Sequence, residues 1–398
     1  MPGYTYKSAY YRKTCLKKLF DNEMQLLKTC AAMETHGVLL NRPYVEASLV
    51  YERKQIEQSK KDFETDTGRA YKSSSKLFAE ILTERGVVVP TTSKGNSSVT
   101  GDFLDHCSAP IAERIKAVRY HEKRASTYFV NFLYYMDKDN KIHPNMNQAG
   151  TATGRFSYSK PNLQNIPKDK IDNITNVRRA FIPPPEHRLL SIDYSQQEYR
   201  IMLDYAGQHD MIAAINDGAD VHQVTADKLK VSRTAAKTLN FAILYGTGNA
   251  NLAHMLSCTL TQAKNIKLRY FRELPAVAKL IRQVKQTGET RGYIKNKYGR
   301  RYWCSDYKFS YKLPNYLIQG TGADVIKHAM VKIDAYLQDK RSTMVLQVHD
   351  ELLFYLHKDE EHIVEDIEQI MMEAYIPMNK MGLTVDRGLS DLSWGDIA

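Results

Sequence analysis

The spacing of apolar residues predicts long helices in the first third of the chain. Helical spacing covers residues 24–35 and then runs, with many charged positions, from Tyr44 to about Asp66. A further long helix is predicted from Pro110 to about Met136, and the stretch between the two charged helices is rich in turn residues. Two long charged helices joined by a basic, flexible tip predict an arm that protrudes from the main body.

A short apolar strand that ends in a carboxylate is predicted near the middle of the chain. The run 189–192 is apolar apart from one serine, Asp193 follows it, and the next helix carries Glu198 and Arg200. An acid at a strand end is a common way to hold a metal ion on a rigid support. Taken alone, the stretch favours an ordinary strand end over a metal site.

A second acidic stretch is predicted to form a hairpin. Residues 344–354 contain an apolar strand, then His349, Asp350 and Glu351, then another apolar strand. Burying consecutive carboxylates between apolar strands costs several kcal/mol unless a cation compensates, so the hairpin indicates a metal site. Asp193 and Asp350 together could bridge two divalent ions, and Mg²⁺ suits carboxylates combined with substrate phosphates.

Between these two stretches, residues 204–290 are predicted to be almost entirely helical. Four residues spaced by four share one face of a helix there: Arg233, Lys237, Phe241 and Tyr245. Such cations can hold a triphosphate, and such aromatics can stack on a sugar or base. The alternative is a basic solvated face beside a buried aromatic pair.

Further polar residues are candidates for nucleic-acid contacts. Arg155, Gln164 and Asn165 lie in an irregular polar stretch that suits minor-groove and sugar contacts, although an ordinary long loop is the alternative. Residues 295–302, which include Arg300, form a basic and aromatic cluster that could clamp a backbone. On the helix predicted over 313–337, Asn315 and Gln319 are four apart and could read base edges.

The composition favours a polyanionic partner. The 398 residues carry a net charge of +11, and the pI is about 9.1, so nucleic acid is the first candidate, while a merely basic protein is an equally open alternative on charge alone. The five cysteines are scattered without a Cys-x-x-Cys pair, which argues against a disulfide scaffold or zinc ribbon and for a reducing compartment. No apolar run approaches the roughly 20 residues of a membrane span, and no signal-peptide core is evident.

Two stretches carry competing interpretations. The first twenty residues lack acids and contain Lys7, Arg12, Lys13, Lys17 and Lys18. This pattern fits a DNA-facing arm or a solvated start, and it leaves a transit peptide open. Asp62-Phe63-Glu64-Thr65-Asp66 looks like the acidic signature of a proofreading exonuclease, but the polar residues 58–61 precede it instead of an apolar strand. The sequence therefore predicts a helix end at that point.

In their order along the chain, these stretches closely resemble the motifs of family A DNA polymerases, the bacterial polymerase I and bacteriophage group. The matching segments are Thr153–Arg155 with Pro161–Pro167, motif A at Asp193–Arg200, motif B at Arg233–Gly246, Gln319–Thr321, and motif C at Gln347–Glu351. The resemblance extends from about residue 24 to the C terminus. It implies an α+β right-hand fold, with an antiparallel-sheet palm, helical fingers and a helical thumb.

The implied domains follow the chain: an N-terminal arm and the start of the palm at 1–43, the thumb at 44–136, the first palm part at 137–206, the fingers at 207–312 and the second palm part at 313–398. By the same resemblance, Asp193 and Asp350 would bind two Mg²⁺ ions, for which Mn²⁺ can substitute. The Tyr194 carbonyl would assist, and Glu351 would be a less essential neighbouring catalytic acid.

The resemblance also implies how a nucleotide is held. Arg233 and Lys237 would hold the phosphates, with Lys237 a candidate proton donor to pyrophosphate, and His222 would lie near them. Glu198 would close the space beside C2′ and so disfavour ribonucleotides.

Two aromatic residues complete the implied nucleotide site. Phe241 would pack on the sugar and base, and Tyr245 would guard the templating position. The presence of phenylalanine instead of tyrosine at position 241 implies that dideoxynucleotides are poorly accepted.

Primer and template would be contacted by a set of polar residues: Arg155, Gln164, Asn165, Arg300, Asn315, Gln319 and His349.

The implied function is template-directed, primer-dependent addition of dNTPs to a DNA 3′-OH, without an intrinsic 3′–5′ exonuclease, in DNA replication or repair and with phage DNA replication as one setting. The expected partners are primer–template DNA and dNTPs, with no membrane association and with a separate exonuclease or processivity factor left open. A monomer in the cytoplasm of a bacterial or phage-infected cell is expected, and organellar import stays open.

Two rival functions are weighed against this one. A single-subunit RNA polymerase shares the palm and the cationic helix, but Glu198 as a sugar gate and the lack of a promoter-binding region argue against it. A DNA-binding relic without activity is disfavoured because all the acids and cations are present.

Gln197 and Tyr199 depart from the aliphatic residues usual in the family, so the packing behind the site is expected to differ.

Overall fold

A helical arm follows the first elements of the fold. The computed structural model describes residues 15–92, 94–170 and 173–397, so the basic N-terminal stretch up to residue 14 lies outside the described residues. The first elements are α1 (Cys15–His36) and β1 (Val38–Leu39). The arm, Arg42–Tyr135, consists of α2 (Arg42–Thr67), α3 (Ser75–Glu84), α4 (Gly101–Asp105), α5 (Pro110–Lys123), a π-helical segment (Arg124–Val130) and α6 (Asn131–Tyr135).

The arm has the two long helices that the apolar spacing predicts, and α2 packs against α5. Asn41 caps the start of α2, because its side chain accepts a hydrogen bond from the Tyr44 amide, and Gly68 ends the helix in a left-handed conformation. A separate apolar core fills the tip and includes Phe63, Phe78 and Leu104. This second core explains how the tip stays folded although the central core does not extend into it.

The acids at 62–66 lie on α2, as the helix-end interpretation predicts. Arg114 binds both carboxylates of the pair, with its Nε 2.7 Å from Asp66 Oδ2 and its Nη1 3.4 Å from Asp62 Oδ2. These acids therefore join the two long helices of the arm. The helix α3 was not predicted, because its ten residues lie within the turn-rich stretch.

The next elements lead into the centre of the molecule. They are β2 (Lys141–Ile142), β3 (Asn145–Asn147), β4 (Ser157–Ser159), two 3₁₀ turns (Leu163–Asn165 and Val177–Ala180), β5 (His187–Tyr194) and α7 (Gln197–Ala206). A helical block, His209–Lys312, follows.

The helical block is made of α8 (His209–Asn216), α9 (Val221–Leu229), α10 (Arg233–Leu244), α11 (Asn249–Met255), α12 (Leu260–Glu273), α13 (Pro275–Arg291), the hairpin β6 (Tyr293–Lys295) and β7 (Arg301–Trp303), and a 3₁₀ turn (Tyr307–Lys312). The final elements are α14 (Leu313–Tyr336), β8 (Thr343–Val348), β9 (Glu351–His357), a 3₁₀ turn (Lys358–Ile363), α15 (Val364–Glu373), β10 (Val385–Ser390) and a 3₁₀ turn (Trp394–Asp396).

A four-stranded antiparallel sheet lies at the centre, in the order β10-β5-β9-β8. Every residue of β9 is buried, and α1 and α14 pack against β8 while α15 packs against β10. The strand before Asp193 and the hairpin at 344–354 are therefore confirmed. Because β5 and β9 pair in the register that sets Asp193 opposite Glu351, the two predicted acidic stretches meet at one end of the sheet.

The helix α14 passes close behind the irregular polar stretch because residue 320 is glycine. A Cβ at Gly320 would lie 1.7 Å from Tyr302 Oη and 2.6 Å from the Thr153 carbonyl oxygen. Any larger residue would push the helix away from this stretch, and with it the neighbouring Gln319.

Two further findings concern the cysteines and the lengths of the helices. No disulfide joins Cys30, Cys107, Cys258 and Cys304, the four cysteines whose side chains are described. Among the described helices, none combines the length and apolar character needed to cross a bilayer.

Candidate functional site

Two carboxylates converge where the central sheet ends. Asp193 is the last residue but one of β5, and Asp350 lies in the turn between β8 and β9. The backbone N–H of Tyr194 donates to the Asp350 carbonyl over 3.2 Å, which ties the hairpin turn to β5. Acids separated by 157 positions in the sequence thus share one edge of a rigid sheet.

A non-glycine residue in the left-handed region lies close to each of these acids. Gln196, just after β5, has a φ of 54°, and His349, just before Asp350, has a φ of 58°. Such residues cost free energy and cluster at functional sites. Gln164 supports the turn, because its side-chain oxygen accepts from the His349 backbone N–H at 3.0 Å and its amide nitrogen donates to the Gln347 carbonyl at 2.9 Å.

The electrostatics of the pair are unfavourable without a cation. Burial, followed by repulsion from Asp350 and Glu351, raises the pKa of Asp193 well above its usual range. Burial also raises the pKa of Asp350. In addition, Asp193 Oδ1 is buried and has no hydrogen-bond partner among the residues that the structure describes.

A divalent cation fits this arrangement, because it would compensate both charges and coordinate the orphaned oxygen. Asp193 and Asp350 are the residues that could hold it. That the Tyr194 backbone carbonyl helps to bind the ion stays a prediction.

A cavity of about 480 Å³ opens in front of the two acids. Its opposite wall is α10, and the four residues predicted to share one helical face all line it: Arg233, Lys237, Phe241 and Tyr245. Glu198 and His222 also line the cavity. The structure therefore brings every residue of the predicted nucleotide site to one place.

The two cations of α10 differ in their surroundings. Arg233 pairs with Asp220 at the start of α9, with 2.8 Å between Nη2 and Oδ2. Lys237 is exposed and takes part in no ion pair among the described residues. Lys237 is therefore the cation more available to an anionic ligand.

The buried Glu198 carboxylate connects two walls of the cavity. It accepts hydrogen bonds from the Arg155 guanidinium and, over 3.1 Å, from the Tyr245 hydroxyl. Burial nevertheless raises the pKa of Glu198, in spite of the opposing influence of Arg155 and Tyr245. Burial and the neighbouring Glu198 raise the pKa of the Tyr245 phenol to about 12, so that this group remains a donor.

His222 and Phe241 form the apolar side of the cavity. His222 is buried, and burial lowers its pKa, which keeps the ring neutral near pH 7. Its Nδ1 lies 3.0 Å from the side-chain nitrogen of Asn240. The ring of Phe241 lies 5.9 Å from that of His222 and stacks on Tyr245 at 6.2 Å with an interplanar angle of 12°.

A narrower groove of about 250 Å³ adjoins this cavity and shares Arg155, Gln197, His349 and Asp350 with it. Five of the predicted nucleic-acid contacts line the groove: Arg155, Gln164, Asn165, Gln319 and His349. The geometry joins a polar groove directly to the edge that carries the acids. The end of a nucleic-acid strand lying in the groove would reach Asp350 at the mouth of the larger cavity.

Three predicted site residues lie outside both cavities, namely Glu351, Asn315 and Arg300. Glu351 points elsewhere, since its Oε1 accepts from Ser191 Oγ at 2.6 Å and from Trp394 Nε1 at 2.7 Å, and Arg178 lies 3.2 Å from its Oε2. These contacts make Glu351 a support for the hairpin. Asn315 has a buried side-chain oxygen that finds no hydrogen-bond partner within the described part of the chain.

Arg300 differs most from the sequence-based expectation of a nucleic-acid contact. Its guanidinium binds Asp324, with 2.6 Å between Nη2 and Oδ1, and also Glu23. Lys327, fully buried, lies 2.8 Å from the same Glu23 oxygen. Gly154 allows this packing, because a Cβ there would lie 2.9 Å from Arg300 Nε. Arg300 therefore belongs to an internal ion network.

We expect the Arg300→Met variant to lose stability and to keep its affinity for nucleic acid. Removing one partner of a buried ion pair costs about 3–5 kcal/mol, and Asp324 is fully buried. Chemical denaturation measures the loss, and Arg301→Met, a change at an exposed neighbour, is the control. An unchanged free energy of unfolding, together with a DNA-binding salt slope reduced by about one, would instead identify a phosphate contact.

The structure accounts for the two departures in motif A. Tyr199 is buried, and its hydroxyl lies 3.1 Å from that of Tyr270 and 3.2 Å from Thr225 Oγ1. Gln197 lines both cavities and approaches α14, where a Cβ at Gly322 would lie 2.5 Å from its Oε1. Sequence reasoning noted Gln197 only as a change of packing. Its polar side chain at a helix start beside Glu198 was the available signal that it reaches the cavity.

Comparison with known proteins agrees with this geometry. The model for DNA polymerase family A matches residues 45–396. DNA polymerase I, thermostable, from Thermus thermophilus is 31% identical, over 93% of this chain and 47% of the relative. DNA polymerase I from Chloroflexus aurantiacus is 30% identical, over 89% of this chain and 41% of the relative. The chain thus spans about half the length of the curated relatives that it matches.

A solved structure is similar over most of the fold. It is the POL domain of Pol1 from M. smegmatis in complex with DNA primer-template and dNTP. The TM-score is 0.86 at 28% sequence identity, and the match covers 94% of this chain and 70% of that chain.

Proposed function

Because this chain belongs to DNA polymerase family A, we propose that it is a DNA-directed DNA polymerase that adds dNTPs to a primer 3′-OH in the order set by a template. One observation carries the proposal. The carboxylates of Asp193 and Asp350 share a cavity with Lys237 and Phe241, so that metal-binding acids, a cation and an aromatic surface face one another. The expected setting is DNA replication or repair, including phage DNA replication.

The parts of the fold correspond, on this proposal, to a right hand. The central sheet would be the palm, the arm would be the thumb that was predicted at 44–136, and the helical block would be the fingers that were predicted at 207–312. The groove lined by Arg155, Gln319 and His349 would hold the primer–template duplex, and the cavity in front of Asp193 would take the incoming nucleotide.

When bound by Asp193 and Asp350, two Mg²⁺ or Mn²⁺ ions would supply activation of the attacking hydroxyl and charge stabilisation of the leaving phosphate. The chain's own residues position the substrates. Lys237 would neutralise the triphosphate, while neutral His222 and Phe241 would form the surface against which the nucleoside packs. Such a reaction depends on positioning and charge complementarity more than on covalent chemistry.

We expect Lys237→Ala to lower the rate of single-nucleotide addition by about 10²-fold, comparable to the loss of one preorganised donor to a developing anion. The physical reason is that, among the described residues, Lys237 forms no ion pair and so remains available to the triphosphate. Rapid-quench measurement at increasing dNTP concentration checks this expectation. Lys264→Ala changes an exposed lysine elsewhere in the helical block and should match the wild type, and equal losses in the two variants would contradict the assignment.

Primer extension on four templates that differ only in the templating base tests the proposed function. Each dNTP is supplied alone with Mg²⁺, and only the complementary nucleotide should be added. A parallel reaction without dNTPs measures 3′ degradation, which we expect to be absent from this stretch of chain. Addition that ignores the template, or no addition at all, would refute the proposal.

A further inference from the structure

The tip of the arm meets the helical block at a cluster of metal-binding side chains, the His–Asp cluster (Asp102, His106 and His254). Asp102 and His106 belong to the arm, on and directly after α4, and His254 lies on α11 of the helical block. One potential ligand atom from each side chain lies within 4.8 Å of the other two. All three side chains are exposed, so that water could fill the remaining coordination positions.

The contacts within the cluster favour metal ligation. His106 Nδ1 lies 2.9 Å from the Asp102 carbonyl oxygen, which fixes the ring and leaves Nε2 as the acceptor nitrogen. Metal-binding histidines commonly donate their second ring N–H in this way. The rings of His106 and His254 are 4.0 Å apart between centroids, and His254 Nδ1 lies 3.9 Å from Asp102 Oδ2.

This junction otherwise has little to hold it together. Among the described residues, no hydrogen bond crosses between the arm and the helical block, and their ion-pair and ring contacts are those of the His–Asp cluster. An exposed ion pair of this kind contributes only about 0–1 kcal/mol to the stability of the contact. The close approach of three ligating groups from two parts of the chain therefore calls for a bridging component.

We propose that the His–Asp cluster binds a divalent transition-metal ion of the zinc type, which fastens the tip of the arm to the helical block. Two imidazoles and one carboxylate suit Zn²⁺, Co²⁺ or Ni²⁺, whereas Mg²⁺ prefers oxygen ligands. The site is separate from the acids Asp193 and Asp350, which lie at the edge of the central sheet.

Calorimetric titration of the full chain with Zn²⁺ tests the site. Millimolar Mg²⁺ is present to occupy the carboxylate pair. We expect the His106→Gln and His254→Gln variants each to bind one Zn²⁺ ion fewer than the wild type, or to bind it about 10–100-fold more weakly. Removal of a residue that only hydrogen-bonds to a metal ligand already lowers metal affinity by about this factor. His362→Gln, at an exposed histidine outside the cluster, should behave as the wild type.

The two variants also distinguish a bridge from a local site. Loss of the ion in both variants supports the proposal, because one ligand comes from the arm and the other from the helical block. Unchanged Zn²⁺ binding in either variant, or the absence of this binding event from the wild type, would overturn it. Circular dichroism of each variant verifies that the fold is retained.

A consequence for DNA rests on the proposed polymerase function. An ion that joins the arm to the helical block would close the cleft between them and slow the release of primer–template. Zn²⁺ should therefore lower the dissociation rate several-fold in the wild type and leave it unchanged in His254→Gln. Equal effects of Zn²⁺ in both proteins would overturn this role, while calorimetry tests the ion site independently of polymerase activity.

Discussion

The Asp350→Asn variant is expected to add nucleotides at least about 10³-fold more slowly than the wild type, equivalent to about 4 kcal/mol of lost transition-state stabilisation. Asn preserves the size of the side chain but removes the charge that a divalent ion requires. Single-turnover primer extension at saturating DNA and dNTP measures the effect. Binding of primer–template should change little, because a carboxylate offers no attraction to the phosphates that dominate affinity for DNA.

Stability provides an independent check on the same variant. The pKa of Asp350 is raised in the folded protein, so its charged form opposes folding at neutral pH. Asparagine removes this cost, and the melting temperature measured in EDTA should be equal to or higher than that of the wild type. A lower melting temperature would show that the lost activity reflects damage to the fold.

A matched substitution tests whether position matters more than charge. Asp386 pairs opposite Asp193 on β10, yet it does not line the cavity in front of α10. Asp386→Asn should therefore retain most of the activity. Activity that survives in Asp350→Asn, or falls equally in Asp386→Asn, would contradict the assignment of the metal ligands.

Replacement of Glu198 should weaken discrimination against ribonucleotides. Glu198 is held between Arg155 and Tyr245 at the wall of the nucleotide cavity. Its removal in Glu198→Ala would open space beside the sugar, and we expect the preference for dNTP over rNTP to fall by about 10²-fold, comparable to the discrimination that shape provides against an added hydroxyl. The ratio of kcat/KM values for matched dNTP and rNTP measures this change.

Glu198→Gln separates the size of the side chain from its charge. Glutamine keeps the volume of the side chain, so this variant should retain most of the discrimination. Because Arg155 is partly exposed, water can hydrate its guanidinium after the loss of the Glu198 charge in either variant. Unaltered selectivity in Glu198→Ala would refute the role of Glu198 as a sugar gate. Efficient rNTP addition by the wild type would favour the rival function, an RNA polymerase.

The parts of the site that depend on local periodicity could be predicted from the sequence. The four-residue spacing from Arg233 to Tyr245 determines one helical face, and the apolar runs that flank Asp193 and Asp350 predict strands. Their common edge follows from pairing between β5 and β9. The sequence also indicated that the acids at 62–66 end a helix and do not form an exonuclease metal site, because polar residues and not an apolar strand precede them.

Contacts between distant residues could not be predicted in the same way. Arg300 lies in a basic, aromatic stretch, and its burial depends on Glu23, which is 277 positions away. Glu351 was grouped with the acids of the turn, whereas its carboxylate is held by Ser191, Trp394 and Arg178 and lines neither the groove nor the cavity in front of α10. The approach of His106 to His254 has no local signal at all, since it depends on where the arm folds.

Crystallisation with primer–template, a complementary dNTP and Mn²⁺ would test the central claim most directly, since Mn²⁺ can be located by its anomalous scattering. We predict anomalous peaks in contact with the carboxylates of both Asp193 and Asp350, with the triphosphate beside Lys237 and the base near Phe241. Peaks located away from these two carboxylates, or a nucleotide bound outside the cavity in front of α10, would contradict it.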